Sequence, residues 1–191
     1  MNQIYSPCPC NSGMKFKFCC LKKKPDEILK TAGKLPVHEC LIADTQWEEH
    51  GLAILYVCRN ILDCRYACAF YMVDTYCLGV KDTLVKASLD RDQMLNFRRQ
   101  LDQKHALMPY SYEDARSLIL GAVDYAASLG FEPNEDWHDS RYIVEADRAY
   151  IRKFKFGKDG KPFYIQGPND NAKSIMDKLA NVDHHLLVRA Y

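Results

Sequence analysis

The sequence has no run of apolar residues that approaches the roughly 18 needed to cross a membrane. The first twelve residues also lack the apolar core of a secretory signal, so we expect the chain to be cytosolic. The chain has almost no net charge as well. Its value of +1 argues against a protein that binds nucleic acid over its whole surface. There is no internal repeat and no low-complexity tract, which favours an ordinary folded chain.

The chain also lacks an even number of cysteines. It has nine, so a complete disulfide framework would leave one thiol over. The cytosol in any case keeps thiols reduced. Four cysteines lie within thirteen residues near the N-terminus, namely Cys8, Cys10, Cys19 and Cys20. So short a stretch cannot bury an apolar core, and closely spaced thiols that are bridged or closed around a metal are the usual substitute. The reducing environment and the odd cysteine count favour a metal.

Four thiolates at this spacing suit Zn²⁺, which prefers soft ligands in a tetrahedral arrangement. Four protein ligands close the coordination shell, so the predicted site is structural and leaves no position for water or substrate. Gly13 allows the chain to reverse between the two cysteine pairs. Lys15 and Lys17 would offset part of the −2 charge of a zinc tetrathiolate and favour the thiolate form.

This stretch resembles the SEC-C motif, a small metal-binding module found at the C-terminus of the bacterial translocation motor SecA and in several stand-alone bacterial proteins. The matching residues are Cys8-Pro9-Cys10-Asn11-Ser12-Gly13, Lys15-Phe16-Lys17 and Cys19-Cys20. Asn11 stands where the motif usually has glycine, and Phe16 replaces the usual tyrosine. The resemblance implies a bound zinc or iron ion and a module that docks on other macromolecules, which in SecA-like cases are the chaperone SecB and the ribosome.

The sequence divides into three parts. Residues 1–22 form the cysteine module, residues 23–36 are predicted to be a linker, and residues 37–191 form the body. Residues 1–35 contain seven lysines and two acidic residues, a net charge of +5, which leaves −4 for the remainder. A basic head on a mildly acidic body suggests that the head meets an anionic surface. The body faintly resembles an uncharacterised group of bacterial SEC-C proteins, and that likeness implies no activity.

The body is predicted to be α+β, with a mainly antiparallel sheet and about three helices. The predicted strands are 37–43, 52–58, 66–73 continuing through 76–80, a hairpin of 150–156 with 162–166, and 185–188. The second and third strands are predicted to join through 60–63. The predicted helices begin after the N-caps Asp90 and Ser111, with a third over 170–180. Gly130 is expected to end the second of them.

The leading functional hypothesis is a cytosolic zinc-binding adaptor, more plausibly a binding protein than an enzyme. Its basic head is expected to dock on a ribosome, a chaperone or another anionic macromolecule, with direct contact to nucleic acid as one form of that docking. The residues expected to contact the partner are Lys15, Lys17, Lys22, Lys23 and Lys24.

Two alternatives remain open from the sequence. One is a metal-dependent hydrolase or nuclease that uses carboxylates of the body and recruits substrate through the zinc module. Its candidate ligands are Asp74, Asp82, Glu113 and Asp114, and two or more of them converging within about 5 Å in an open cleft would favour it. The other is a toxin or defence component whose body binds one specific protein.

The five cysteines of the body lie in apolar stretches, and each is expected to be a small buried hydrophobic residue. They are Cys40, Cys58, Cys64, Cys68 and Cys77.

Overall fold

The computed structural model describes residues 5–8, 12–19, 25–62, 65–180 and 182–187. The strands are β1 (Val37–Ala43), β2 (Leu52–Leu62), β3 (Arg65–Asp74), β4 (Gly79–Leu89), β5 (Leu107–Pro109), β6 (Phe163–Ile165) and β7 (His185–Leu187). The helices are α1 (Pro25–Leu29), α2 (Trp47–His50), α3 (Arg91–His105), α4 (Tyr112–Ser128), α5 (Trp137–Ser140) and α6 (Ala172–Leu179). The fold is α+β, as the sequence predicts.

The main sheet has five antiparallel strands in the order β4-β3-β2-β1-β5. The central strands β2 and β3 are buried on both faces, which explains why the sequence has long uninterrupted apolar runs here. Because side chains alternate along a strand, Leu55 and Val57 point to one face, whereas Tyr56 and Cys58 point to the other. The two faces are covered by different helices.

Helix α4 covers the first face, and its side chains Leu118, Ile119 and Ala122 are fully buried against the sheet. Helix α3 covers the second face with the buried Met94 and the partly buried Phe97. The apolar area removed from water at each face stabilises the fold by roughly 25 cal/mol per Å². The sheet therefore forms the middle layer of the body.

The ends of the two long helices are where the sequence predicts them. Asp90 forms a capping box with Gln93, in which each side chain accepts a hydrogen bond from the other residue's backbone N–H. Ser111 caps α4 by accepting from the N–H of Asp114. Gly130, with φ +82°, lies just beyond the end of α4, where a left-handed residue stops the helix.

The predicted continuation of the third strand through 76–80 is wrong. Asp74 Oδ1 accepts hydrogen bonds from the backbone N–H groups of Tyr76 (2.8 Å) and Cys77 (2.9 Å), which closes a turn directly after β3. Gly79 has φ +69° and begins β4, which runs back along β3 to Leu89. Strand β4 was not predicted because it lies at the sheet edge, where charged residues interrupt the apolar pattern.

The predicted hairpin of 150–156 with 162–166 is also wrong, although its turn is present. Lys158 and Lys161 exchange backbone hydrogen bonds of 2.8 and 3.0 Å around that turn. The 150–156 segment is extended but joins no sheet, since Lys153 N–H donates to Ser117 Oγ rather than to a strand. Strand β6 pairs in parallel with β7 instead. The short strand β5, which pairs with β1, was not predicted.

The segment predicted to be a linker contains α1 and a 3-10 turn at Ala32–Lys34. Its residues Ile28, Leu29, Ala32 and Leu35 are buried in the same cluster of side chains as the α4 face of the sheet. Within the described residues, none of the helices combines the length and apolarity that crossing a bilayer demands.

Candidate metal centre

Cys8 is positioned by a small antiparallel hairpin at the start of the chain. Pro7 and Lys15 face each other across it, and its hydrogen bonds run from Cys8 N to Met14 O (2.8 Å) and from Phe16 N to Ser6 O (3.0 Å). Gly13 has φ +74°, a conformation that glycine adopts without steric cost, so the chain reverses here as the sequence predicts. The hairpin brings the residues that follow it back towards Cys8.

Cys19 is positioned by the 3-10 turn Phe16–Phe18, because its backbone N–H donates to Phe16 O at 3.0 Å. Ser12 Oγ donates to Cys19 Sγ at 3.1 Å and so ties the loop of the hairpin to the second cysteine. The two described cysteines of the candidate site are thus held by one compact unit.

Phe16 is the apolar anchor of this unit. Its ring is 1% exposed, and Cys8 (3%) and Cys19 (5%) are buried with it. All three belong to the cluster of buried side chains that includes Ile28 and Leu29 of α1. The thiols therefore lie in surroundings of low polarity, which strengthen thiolate–metal attraction and exclude water from the ligands.

Residues 6–22 match the SEC-C motif model. The match indicates a metal-binding module and covers most of the predicted cysteine module. No curated protein and no solved structure matches the chain significantly.

The SEC-C segment contains the four thiols that a closed thiolate centre needs, and two of them, Cys8 and Cys19, are described and buried. Cys10 and Cys20, the other two predicted ligands, lie outside the described residues, as do Lys22, Lys23 and Lys24. Among the residues that the structure describes, no three His, Cys, Asp or Glu side chains are grouped closely enough to hold a metal ion. The assignment of the four ligands therefore stays a prediction.

The outer surface of the SEC-C segment combines a cation with exposed aromatic rings. Lys17 Nζ lies 4.5 Å from the centroid of the Tyr5 ring, 4.8 Å from that of Phe18 and 3.2 Å from the Tyr5 hydroxyl. Tyr5, Met14 and Phe18 are each about half exposed. The lysines were predicted to contact a partner, whereas these apolar neighbours were not, although Met14 and Phe18 are adjacent to Lys15 and Lys17 in the sequence.

The carboxylates of the alternative metal site lie in different surroundings. Asp74 is buried and caps the turn after β3, whereas Asp82 is exposed on β4. Asp114 at the start of α4 pairs with Lys153 at 2.6 Å, and Glu113 lies at a cavity of about 260 Å³ beside Arg116 and Arg148. Lys81 pairs with Asp170 at 2.9 Å rather than with Asp74. This arrangement gives the hydrolase alternative no support.

Asp74 instead has a structural role that predicts a pH effect. Burial raises the pKa of this carboxyl, and the backbone hydrogen bonds from Cys77 and Tyr76 offset only part of the increase. A raised folded-state pKa means that this group stabilises the fold at pH values below its ordinary pKa, and that the stabilisation is lost as pH rises. Asp74→Asn keeps the accepting oxygen without the charge.

We therefore expect Asp74→Asn to be more stable than the wild type at pH 7, with the difference shrinking towards pH 3. Urea unfolding followed by circular dichroism at several pH values measures it. Asp82→Asn, an exposed carboxylate on the neighbouring strand, serves as the control and should show no such trend. A variant that is less stable than the wild type at neutral pH would show that the Asp74 charge itself is needed.

Proposed function

We propose that this chain is a zinc-binding adaptor that acts in the cytosol. Cys8, Cys10, Cys19 and Cys20 hold the ion, with iron as the alternative metal, and the body is a stable platform behind the head. The observation that carries the proposal is the SEC-C match over residues 6–22, together with the burial of Cys8 and Cys19 in one hydrogen-bonded unit.

The metal would fix the surface of the head rather than take part in a reaction. Zinc supplies a rigid crosslink between the hairpin and the residues after the 3-10 turn. Cys8 and Cys19 bind the ion in this scheme, and the Ser12 hydroxyl orients the Cys19 sulfur. The side chains that face outwards from these two elements, Lys15, Lys17 and Phe18, are then held in a defined arrangement.

The docking surface consists of Tyr5, Met14, Lys15, Lys17 and Phe18. The exposed rings of Tyr5 and Phe18 flank the Lys17 cation, so this surface offers both apolar area and positive charge. Aromatic and cationic side chains are common among the residues that contribute most of the binding energy at protein interfaces. The excess of lysine in this part of the chain favours an anionic partner. We propose a ribosome, an acidic chaperone or another anionic macromolecule as that partner, with Lys22, Lys23 and Lys24 extending the surface.

We expect the double variant Lys15→Glu/Lys17→Glu to weaken binding to purified ribosomes by at least about tenfold, because two attractive charges become repulsive. Cosedimentation at low and high salt measures the bound fraction, and the wild-type interaction should weaken as salt rises.

The matched control is Lys86→Glu/Lys104→Glu, which reverses two exposed lysines of the body. It should bind like the wild type. The metal content of both variants is measured beside the bound fraction, so that loss of the ion from the head variant is distinguished from loss of docking. Equal loss of binding in the two variants would mean that net charge, rather than the head, determines the interaction. An unchanged bound fraction in the head variant would contradict docking through this surface.

A further inference from the structure

The face of the sheet beneath α3 carries a pair of thiols that the proposed function does not use. Cys58 on β2 and Cys68 on β3 are directly opposite each other in the antiparallel register. Their sulfur atoms are 3.2 Å apart, and both residues are fully buried. Paired residues in such a register have Cα atoms about 4.5–5.5 Å apart, which falls within the range that a disulfide spans.

We propose that Cys58 and Cys68 are an oxidation site, at which hydrogen peroxide converts the two thiols into a cross-strand disulfide. In the first step one thiolate attacks peroxide, the O–O bond breaks, and a sulfenic acid and hydroxide form. In the second step the other thiolate attacks the sulfenic sulfur, the S–S bond forms, and the S–O bond breaks. Two thiols and one peroxide thus give one disulfide and two waters, with the two thiol protons ending in the water.

The surroundings of the pair support this chemistry. Tyr56 OH donates to Cys68 Sγ at 3.3 Å, so Cys68 is in contact with two hydrogen-bonding groups, Cys58 and Tyr56. The hydrogen bond with Cys58 lowers the pKa of the Cys68 thiol and outweighs the opposing effect of burial. Because the Cys68 sulfur contacts both Tyr56 OH and Cys58, it is assigned as the sulfur that reacts first, and Cys58 as the resolving thiol beside it.

The size of the oxidant matters because the pair is covered. Helix α3 lies over it, with Met94 buried and Phe97 edge-on to Tyr56 at 6.0 Å between ring centroids. Peroxide is close to water in size and needs only local opening of α3, whereas bulky disulfide reagents need a larger opening. Of the other described thiols of the body, Cys40 lies on the opposite face of the sheet and Cys77 lies in the turn after β3.

Peptide mapping of the folded full-length protein tests the proposal. The protein is treated with peroxide, its remaining thiols are alkylated, and it is digested with trypsin. Peptide 35–59 carries Cys40 and Cys58, and peptide 66–81 carries Cys68 and Cys77. We expect the two peptides to be joined with the loss of two hydrogen atoms. Fragmentation should place the bond between Cys58 and Cys68 in more than about tenfold excess over other pairings, since these sulfurs are already in contact.

Variants give independent controls for the assignment. Cys40→Ser and Cys77→Ser should form the linked peptides as the wild type does, whereas Cys58→Ser should form none. If Cys58→Ser does not fold, the fragmentation pattern of the wild type decides the question alone. Absence of the link in folded, peroxide-treated protein would overturn the proposal, as would equal amounts of pairings that involve Cys40 or Cys77. The cysteines of the head lie in other tryptic peptides, so this result is independent of metal binding.

Discussion

Replacing Cys8 with serine is expected to lower the metal content from about one ion per chain to less than about a tenth, because a structural zinc site needs its full set of four ligands. Serine is nearly the same size as cysteine, so the packing of Phe16 and Cys19 around position 8 is preserved. A neutral hydroxyl is, however, a poor ligand for a soft metal site. The remaining three thiolates leave one coordination position open to water and chelators.

The measurement is elemental analysis after purification under reductant and dialysis against a mild chelator. Cys40→Ser is the matched control, because Cys40 is also a buried thiol but lies on β1, outside the SEC-C segment. It should retain the metal. Circular dichroism of Cys8→Ser should still report a folded body, as the division into a head and a body predicts. Full metal retention in Cys8→Ser would remove this cysteine from the ligand set.

The second large effect is expected at Arg59, where replacement by alanine should destabilise the fold by about 3–5 kcal/mol, the usual cost of removing one partner of a buried ion pair. Arg59 is 3% exposed and donates to Ile143 O at 2.8 and 3.0 Å, to Leu35 O at 2.8 Å and to Glu145 Oε1 at 2.9 Å. It also donates to the Tyr112 hydroxyl, over whose ring it lies. Alanine would remove this donor from Ile143 O and Leu35 O, whereas Glu145 Oε1 would keep the hydrogen bond from the Tyr112 hydroxyl.

The position of Arg59 explains why its loss should affect more than one element. The bond to Leu35 O holds the segment that leads from the head, whereas the bonds to Ile143 and Glu145 hold the chain after α5. Glu145 has φ +53°, an uncommon conformation for a residue with a side chain. It also lines a cavity of about 640 Å³ together with Lys30, Lys34 and other residues. Arg59 thus joins the N-terminal segment to the chain that follows α5.

Urea unfolding of Arg59→Ala beside Arg148→Ala measures the difference. Arg148 contacts the same carboxylate at 2.9 Å but its side chain is 78% exposed, so its removal should cost less than about 1 kcal/mol. Similar losses for the two variants would show that the buried hydrogen bonds of Arg59 contribute little to stability.

Much of the body could be predicted because local patterns agree with the fold. The apolar run at 37–43, bounded by Pro36 and Asp44, predicts β1 with its observed bounds. Capping by Asp90 and Ser111 predicts the starts of the two long helices. In each case the determining signal lies within a few residues of the element.

The elements that the sequence did not predict correctly depend on contacts between residues that are distant in the chain. Strand β4 contains Lys81, Asp82 and Lys86, and only its pairing with β3 identifies it as an edge strand. The 150–156 segment has the composition of a strand, yet its rings pack on other elements, such as Phe154 against Trp47 at 5.4 Å. Its backbone finds hydrogen-bond partners outside a sheet, as where Lys153 N–H donates to Ser117 Oγ.

The candidate sites show the same contrast between what neighbouring residues determine and what contacts between distant residues determine. The spacing of the N-terminal cysteines predicts the metal site because all its ligands lie within one short stretch. The Arg59 network could not be predicted, since Glu145 and Ile143 are more than eighty residues away in the chain. The Cys58–Cys68 contact likewise depends on the register of β2 with β3, which the apolar composition of both strands does not specify.

The central claim is that the thiols near the N-terminus bind a metal ion, and elemental analysis of the wild type tests it most directly. Protein purified under reductant, with no metal added, should contain about one zinc or iron ion per chain, and four thiols should become reactive when the ion is chelated. Protein that contains no transition metal and takes up none when zinc is supplied would contradict the account.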